Sequence, residues 1–157
     1  MATKEELLDG LRFVPAQAKR VAGILDRQGD WDSKRSQGWT PKEMFTHVAV
    51  TAGMIPAMGP GMIAAPEATE LTAGLDIASM NAAAVGSLAE MDTSQIVETL
   101  QGNYSKLTDW VKGLSDDQLQ GKHTFLSMNL TAADLLMTLT VLHSTHHIYE
   151  AQLPVAI

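Results

Sequence analysis

The sequence predicts an all-α fold, a four-helix bundle, and three observations lead there. Apolar residues recur every three or four positions along most of the chain, the period of an amphipathic helix. No stretch alternates strictly, as a half-buried strand would. Four principal helical segments are separated by clear breaks, and 157 residues suit one such bundle as a single domain spanning 1–157.

Taken in order, residues 4–28 carry Leu7, Leu8, Leu11, Val14, Ala18, Val21 and Leu25 at helical spacing until Gly29 breaks the run. A polar loop over 30–38 follows. Thr40 then offers an N-cap, Pro41 suits the first helical position and Glu43 completes a capping box. That start fixes the phase, so Met44, His47, Val48, Thr51 and Ile55 share one face. Pro56, Pro60 and Pro66 should kink or end this helix, leaving 56–73 as an irregular excursion. Residues 74–90, rich in Ala and Met, read as a shorter helix. Asp92 or Thr93 caps the next, which runs to about Gly113 with Ile96, Leu100, Tyr104, Leu107, Trp110 and Val111 inward. A capped turn at Ser115–Gln118 and a loop or short hairpin over 121–129 lead to the last helix. That helix starts at Thr131 and ends near Gln152, before Pro154.

Composition excludes several functions. A formal charge of −7 with no basic cluster argues against nucleic-acid binding, which needs cations to meet phosphates. The chain has no cysteine, hence no disulfide, thiolate ligand or internal thiol nucleophile. Residues 1–10 lack the apolar core of a secretory signal. The uncharged run 45–66 is too broken by Pro and Gly for a membrane span. The expectation is a soluble, cytoplasmic protein with no membrane partner.

Three of the five histidines, His143, His146 and His147, fall within five residues of the last helix. Residues four apart on a helix have side-chain roots about 5–6 Å apart, so His143 and His147 can aim a ring nitrogen at one point. Zinc sits about 2.0–2.1 Å from such nitrogens, which makes the pair a candidate metal site, with His47 on the second helix as third ligand. His146, three residues past His143, remains in play by spacing. At 100° per residue, Ala132, Leu135, Leu136, Leu139, His143, His146, His147 and Glu150 fall in one sector. The histidines therefore extend a core-facing stripe, where unpaired polar groups cost about 1–3 kcal/mol each. Glu150 is placed to orient a ligand ring, and Glu150 or His146 is the candidate general base. His123 carries little functional weight. Met54 and Met58, with Met62, recur every four residues past His47; if the helix continues beyond Pro56, they wall the mouth of the site and suit an apolar or mixed substrate. Met137, Val141 and Ile148 form a second apolar stripe on the last helix, to be covered by residues 74–90 or by a second subunit.

The run Trp39, Thr40, Pro41, Lys42, Glu43 followed by His47, with His143, Ser144, Thr145, His146 and His147 on the last helix, resembles the DinB-like superfamily, which includes the YfiT-type metal-dependent hydrolases and thiol transferases. The resemblance covers nearly the whole chain in helix order. It implies up-down-down-up topology, a homodimer, and a divalent ion held by His47, His143 and His147. Where such chains often continue Arg-Gly-Gln after the paired histidines, this one has Ile148, Tyr149 and Glu150, which removes an anion-anchoring arginine.

Three ligands leave a tetrahedral ion with an open position, as in catalytic sites. Zinc is the leading metal, with nickel, iron or manganese as alternatives. The ion would activate water for hydrolysis or, as the resemblance implies, an external low-molecular-weight thiol for transfer to a small electrophile. The competing reading is a non-catalytic bundle that uses the ion as a structural clip.

Overall fold

A computed structural model describes residues 1–35, 38–67 and 69–153. Its helices are α1 (Lys4–Gln28), α2 (Pro41–Ala64), α3 (Ile77–Ser87), α4 (Thr93–Gly113) and α5 (Asp116–Gln120). A two-stranded antiparallel hairpin, β1 (Lys122–Phe125) and β2 (Met128–Thr131), precedes the closing helix. That helix runs through α6 (Ala132–Leu136), a π-helical segment (Met137–Leu142) and α7 (His143–Ala151), with αR geometry at both junctions.

Side-chain bonds between helices reveal their directions. Lys4 Nζ donates to the carbonyls of Lys112 and Leu114, and Gln101 to that of Pro15, so α1 and α4 are antiparallel. Ala2 N–H donates to Asp134, and Arg20 donates to Gln152, so α1 and the closing helix run together. Asn103 donates to the Ala49 carbonyl while Trp110 lies on Gly59, which makes α2 and α4 parallel. His47 meets His143, and Arg35, just before α2, meets Ala151 at the end of α7. The bundle is thus up-down-down-up. Two parallel neighbours need a long crossover, and residues 65–92, with α3 inside them, provide it.

The core fills the space between the four long helices, with Leu7, Leu11, Phe45, Leu100, Tyr104 and Leu107 at most 1% exposed. Capping boxes at Thr3/Glu6, Thr40/Glu43 and Asp92/Gln95 start three of them. Among the described residues α2 alone has the length and apolarity of a membrane span; here it packs against α4, α3 and α7.

Three expectations need correction. The helix does not break at Pro56: α2 runs through Pro56 and Pro60 to Ala64, so only the end of the expected excursion 56–73 is irregular. Packing outweighs the proline penalty, because Ala52, Ile55 and Gly59 are buried in a close approach to α4. The short helix expected over 74–90 occupies only Ile77–Ser87 and buries none of its residues. Finally, the second apolar stripe of the closing helix is covered by α1 of the same chain. Val141 is packed where any Cβ on Gly10 would strike it at 2.8 Å, and Ile148 is 2% exposed. The stripe therefore gives no reason to invoke a second subunit.

The π segment explains the last discrepancy. The amide of His143 bonds to the Thr138 carbonyl, five residues back, so the wide turn holds one more residue than an α-turn. Counting at a constant 100° blurs the face beyond it, so that His143, His147 and Glu150 fall as expected while His146 is exposed. The buried line runs through Leu136, Thr140, Ser144, His147 or Ile148, and Ala151, while Leu139 is only half-buried.

Candidate metal centre

The capping box at Thr40 sets the phase that turns His47 inward from the second turn of α2, where it is 3% exposed. From the opposite helix, the π segment delivers His143 to the face toward α2 and His147 one turn further along. Tyr104, buried in α4, donates its hydroxyl to the Thr140 carbonyl at 2.6 Å and so anchors the wide turn from behind. Thr140 in turn donates to the Leu136 carbonyl at 2.7 Å.

The three imidazoles converge. His143 Nε2 lies 3.4 Å from His47 Nε2 and 3.1 Å from His147 Nε2, and the candidate ligand atoms all fall within 4.8 Å of one another. Nitrogens about 2.0–2.1 Å from one tetrahedral ion stand about 3.3 Å apart. The spacing therefore fits a single divalent ion between the rings. The rings are also in the right protonation state. Burial first, and then the charge on His143, pushes His47 down to about 4. Burial, followed by the charges of His143, His47 and His146, pushes His147 down to about 3. His143 is lowered as well, by burial and then by His146. Near neutral pH all three rings are uncharged and carry a free lone pair, the form that binds metal. The Leu139 carbonyl works against this by raising the proton affinity of His143, without lying in line for a hydrogen bond to Nδ1.

Trp39 completes the enclosure. Its ring stacks on His147 with centroids 5.6 Å apart and planes 20° from parallel, and it meets His47 edge-on at 5.1 Å. Arg35, a residue of the loop read from sequence only as polar, is buried at the other end of α7. It donates to the Ala151 carbonyl at 2.9 and 3.1 Å and pairs with Asp30 at 2.8 Å, holding the negative end of the helix that carries His143 and His147. Neither role is legible without coordinates, since each depends on a loop folding back over two helix ends.

The other candidates are placed differently. His146 is exposed and stands outside the three converging nitrogens; its Nε2 is 3.6 Å from a carboxylate oxygen of Glu150. Glu150 is 5% exposed, not the solvated residue its place near a helix end would suggest. Tyr149 is exposed, as its phase predicts. Met54, Met58 and Met62, on the uninterrupted α2, line a cavity of about 380 Å³ whose wall also includes His47 and His143. His123 is buried in β1, away from the triad, with both ring nitrogens lacking a hydrogen-bond partner among the described residues.

The sequence reading missed Glu70. Leu126 and Ser127 form the two-residue hairpin turn with φ of 48° and 63°, a left-handed geometry that costs non-glycine residues about 1–2 kcal/mol each. The Glu70 carboxylate accepts both of their amides, at 3.0 and 2.9 Å, together with the amide and hydroxyl of Thr72. The Thr72 hydroxyl first, and then these amides, hold Glu70 down to about 2. This carboxylate ties the crossover to the hairpin, and together the two roof the cavity.

No protein-family model matches the chain, and no curated protein matches it. Among solved structures it is similar to YfiT from Bacillus subtilis, described as a probable metal-dependent hydrolase with an unusual four-helix bundle topology. The identity is 21% and the TM-score 0.69, with 94% of this chain and 83% of that one covered. The likeness shows a shared fold, a four-helix bundle.

Proposed function

We propose that the protein is a divalent-metal-dependent enzyme, a hydrolase in the first instance, that acts on a small molecule at the His47–His143–His147 centre. The observation that carries this reading is the convergence of three neutral imidazoles, two buried and one half-buried, from two helices at the spacing of one ion. The description of the similar fold as a metal-dependent hydrolase supports it.

A divalent ion held there, zinc by preference and otherwise nickel, iron or manganese, would bring water into its reactive range near neutral pH. The chain's own residues do the rest. His47, His143 and His147 present lone pairs and leave one side open toward the cavity. Trp39 shields the opposite side. His146 and Glu150, 3.6 Å apart and outside the cavity lining, are assigned proton exchange with solvent rather than contact with the substrate.

The second reading is transfer of an external thiol to an electrophile in the same cavity. It is supported by the family resemblance, and since the chain has no cysteine any sulfur nucleophile would come from outside. Assembly as a homodimer rests on the family resemblance alone.

Zinc titration by calorimetry, with elemental analysis of the purified chain, tests the centre. One ion per chain is expected, with His143→Ala losing it while retaining its helical circular dichroism. Stoichiometric metal in that variant would sink the reading. Turnover of neutral esters by the zinc-loaded chain, with and without an added thiol, separates hydrolysis from transfer.

A further inference from the structure

The cavity beside the triad has a second property that the histidines do not explain. None of its eighteen lining residues is an Asp, Glu, Lys or Arg, and its titratable side chains are the two histidines of the triad. Four methionines, Met54, Met58 and Met62 from α2 and Met80 from α3, supply an adaptable apolar wall. Phe125 and Leu71 close the far end, where the hairpin is tied to the crossover. Its volume of about 380 Å³ lies within the range of roughly 300–1,000 Å³ usual for small-molecule sites.

We propose that this cavity binds an uncharged, predominantly apolar small molecule, its apolar body against the α2 methionines and its one polar group at the end formed by His47, His143 and Thr51. The choice of ligand charge follows from what surrounds it. In the metal-free chain an anion drawn into this wall would leave its hydration shell and meet no Lys or Arg in exchange, and a bound ion would offer compensating charge only at the triad end. The chain as a whole carries −7, which repels anions before they arrive. The nearest strong anion binder of the region, the pair of turn amides at Leu126 and Ser127, is already occupied by Glu70. Polar contact is concentrated at the triad end. Thr51 stands one turn beyond His47 on the same helical face, and both line the cavity. At the other end, the hydroxyl of Thr72 is engaged with Glu70. The Thr138 hydroxyl is likewise engaged, with the Asp134 carbonyl, so a single polar group can meet the Asn81 amide or the triad end. The triad end, where His47, His143 and Thr51 come together, offers it more partners beside the candidate metal centre. The proposal deepens the metal-dependent reading by naming its substrate class, and the orientation rests on that reading, whereas the apolar binding does not.

The test uses the full chain, zinc-loaded and metal-free, with two fluorescent probes of similar size: neutral N-phenyl-1-naphthylamine and anionic 1-anilinonaphthalene-8-sulfonate. The neutral probe should bind saturably at one site per chain in the metal-free state, at least about tenfold more tightly than the anion. Met58→Asp, at a half-exposed position on the cavity wall, should weaken it about tenfold while zinc uptake stays at one ion per chain. Met54→Asp serves as the second variant if the first misfolds. Equal or tighter binding of the anion to the metal-free chain, no saturable binding of the neutral probe, or no effect of either substitution would overturn the proposal. Zinc uptake is read separately, so loss of the metal reading with probe binding intact would overturn only the orientation.

Discussion

The indole of Trp39 lies almost parallel to the ring of His147, 5.6 Å away, while it touches His47 with its edge. One side chain thus fixes the orientation of two candidate ligands that come from different helices. Trp39→Ala should lower zinc affinity by about tenfold, within the roughly 10–100-fold range for groups that orient ligands. In wild type, nickel or cobalt should quench part of the tryptophan emission. Trp39→Phe should lose that quenching although Trp31 and Trp110 remain. An undiminished response in Trp39→Phe would mean that the ion binds elsewhere.

Acid should destabilise the metal-free protein in a defined window. His47 and His147 take up protons in the folded chain only near pH 4 and 3, against 6.5 for the unperturbed ring. Between those values the unfolded chain binds more protons, so stability is full above about pH 6.5 and falls as pH drops toward 4. Melting temperatures should be level from pH 7 to 8 and then decline by several degrees. Replacing both histidines by Gln should flatten most of the decline, and an equal slope in that variant would contradict the burial argument.

Glu70 titrates in the other familiar way. Its folded value of about 2 lies below the ordinary 4.5, so its contribution is present above about pH 4.5 and disappears as pH falls toward 2. Glu70→Gln keeps the shape and removes the charge. Amide exchange at Leu126 and Ser127 should accelerate by about tenfold, with little change in global melting, because the hairpin opens locally. Unchanged exchange would show that the turn holds without the carboxylate.

Two glycines of α2 should respond oppositely to the same substitution. A Cβ on Gly59 would lie 2.3 Å from the ring of Trp110, whereas one on Gly61 meets nothing within 4 Å. Gly59→Ala should cost about 1–3 kcal/mol, as overpacked cores do, despite the gain in helix propensity. Gly61→Ala should add about 0.5–1 kcal/mol. Chemical denaturation of the two variants checks both signs, and a stabilised Gly59→Ala would mean that α2 and α4 can separate at little cost.

The bundle was legible because its signals are local. Thr40, Pro41 and Glu43 start α2 where the capping box stands, and Ile96, Leu100, Tyr104, Leu107 and Val111 face inward at the spacing they advertise. The grouping of His47 with His143 and His147 was visible for the same reason, through phase on one helix and four-residue spacing on another. What escaped depends on contacts between distant segments. Pro56 and Pro60 announce a break that the fit of Gly59 to Trp110 overrides. Glu70 looks like one more loop carboxylate until the hairpin brings it two amides. His146 was kept with its neighbours because it stands three residues from His143, a spacing that puts it at the edge of their face, where it is exposed.

That widened turn makes the aim of the closing helix a matter of counting. Removing a single residue from within it would restore an ordinary helix over the same rotation and leave the downstream face aimed at His47. Tightening the turn to α pitch with every residue kept would instead swing everything beyond it by about 100° and carry His143 away. A chain of this architecture without the extra residue would have to shift its histidines by one place to reach the same point. Alignments of such chains should therefore be anchored on the backbone pitch before the histidines are matched by position.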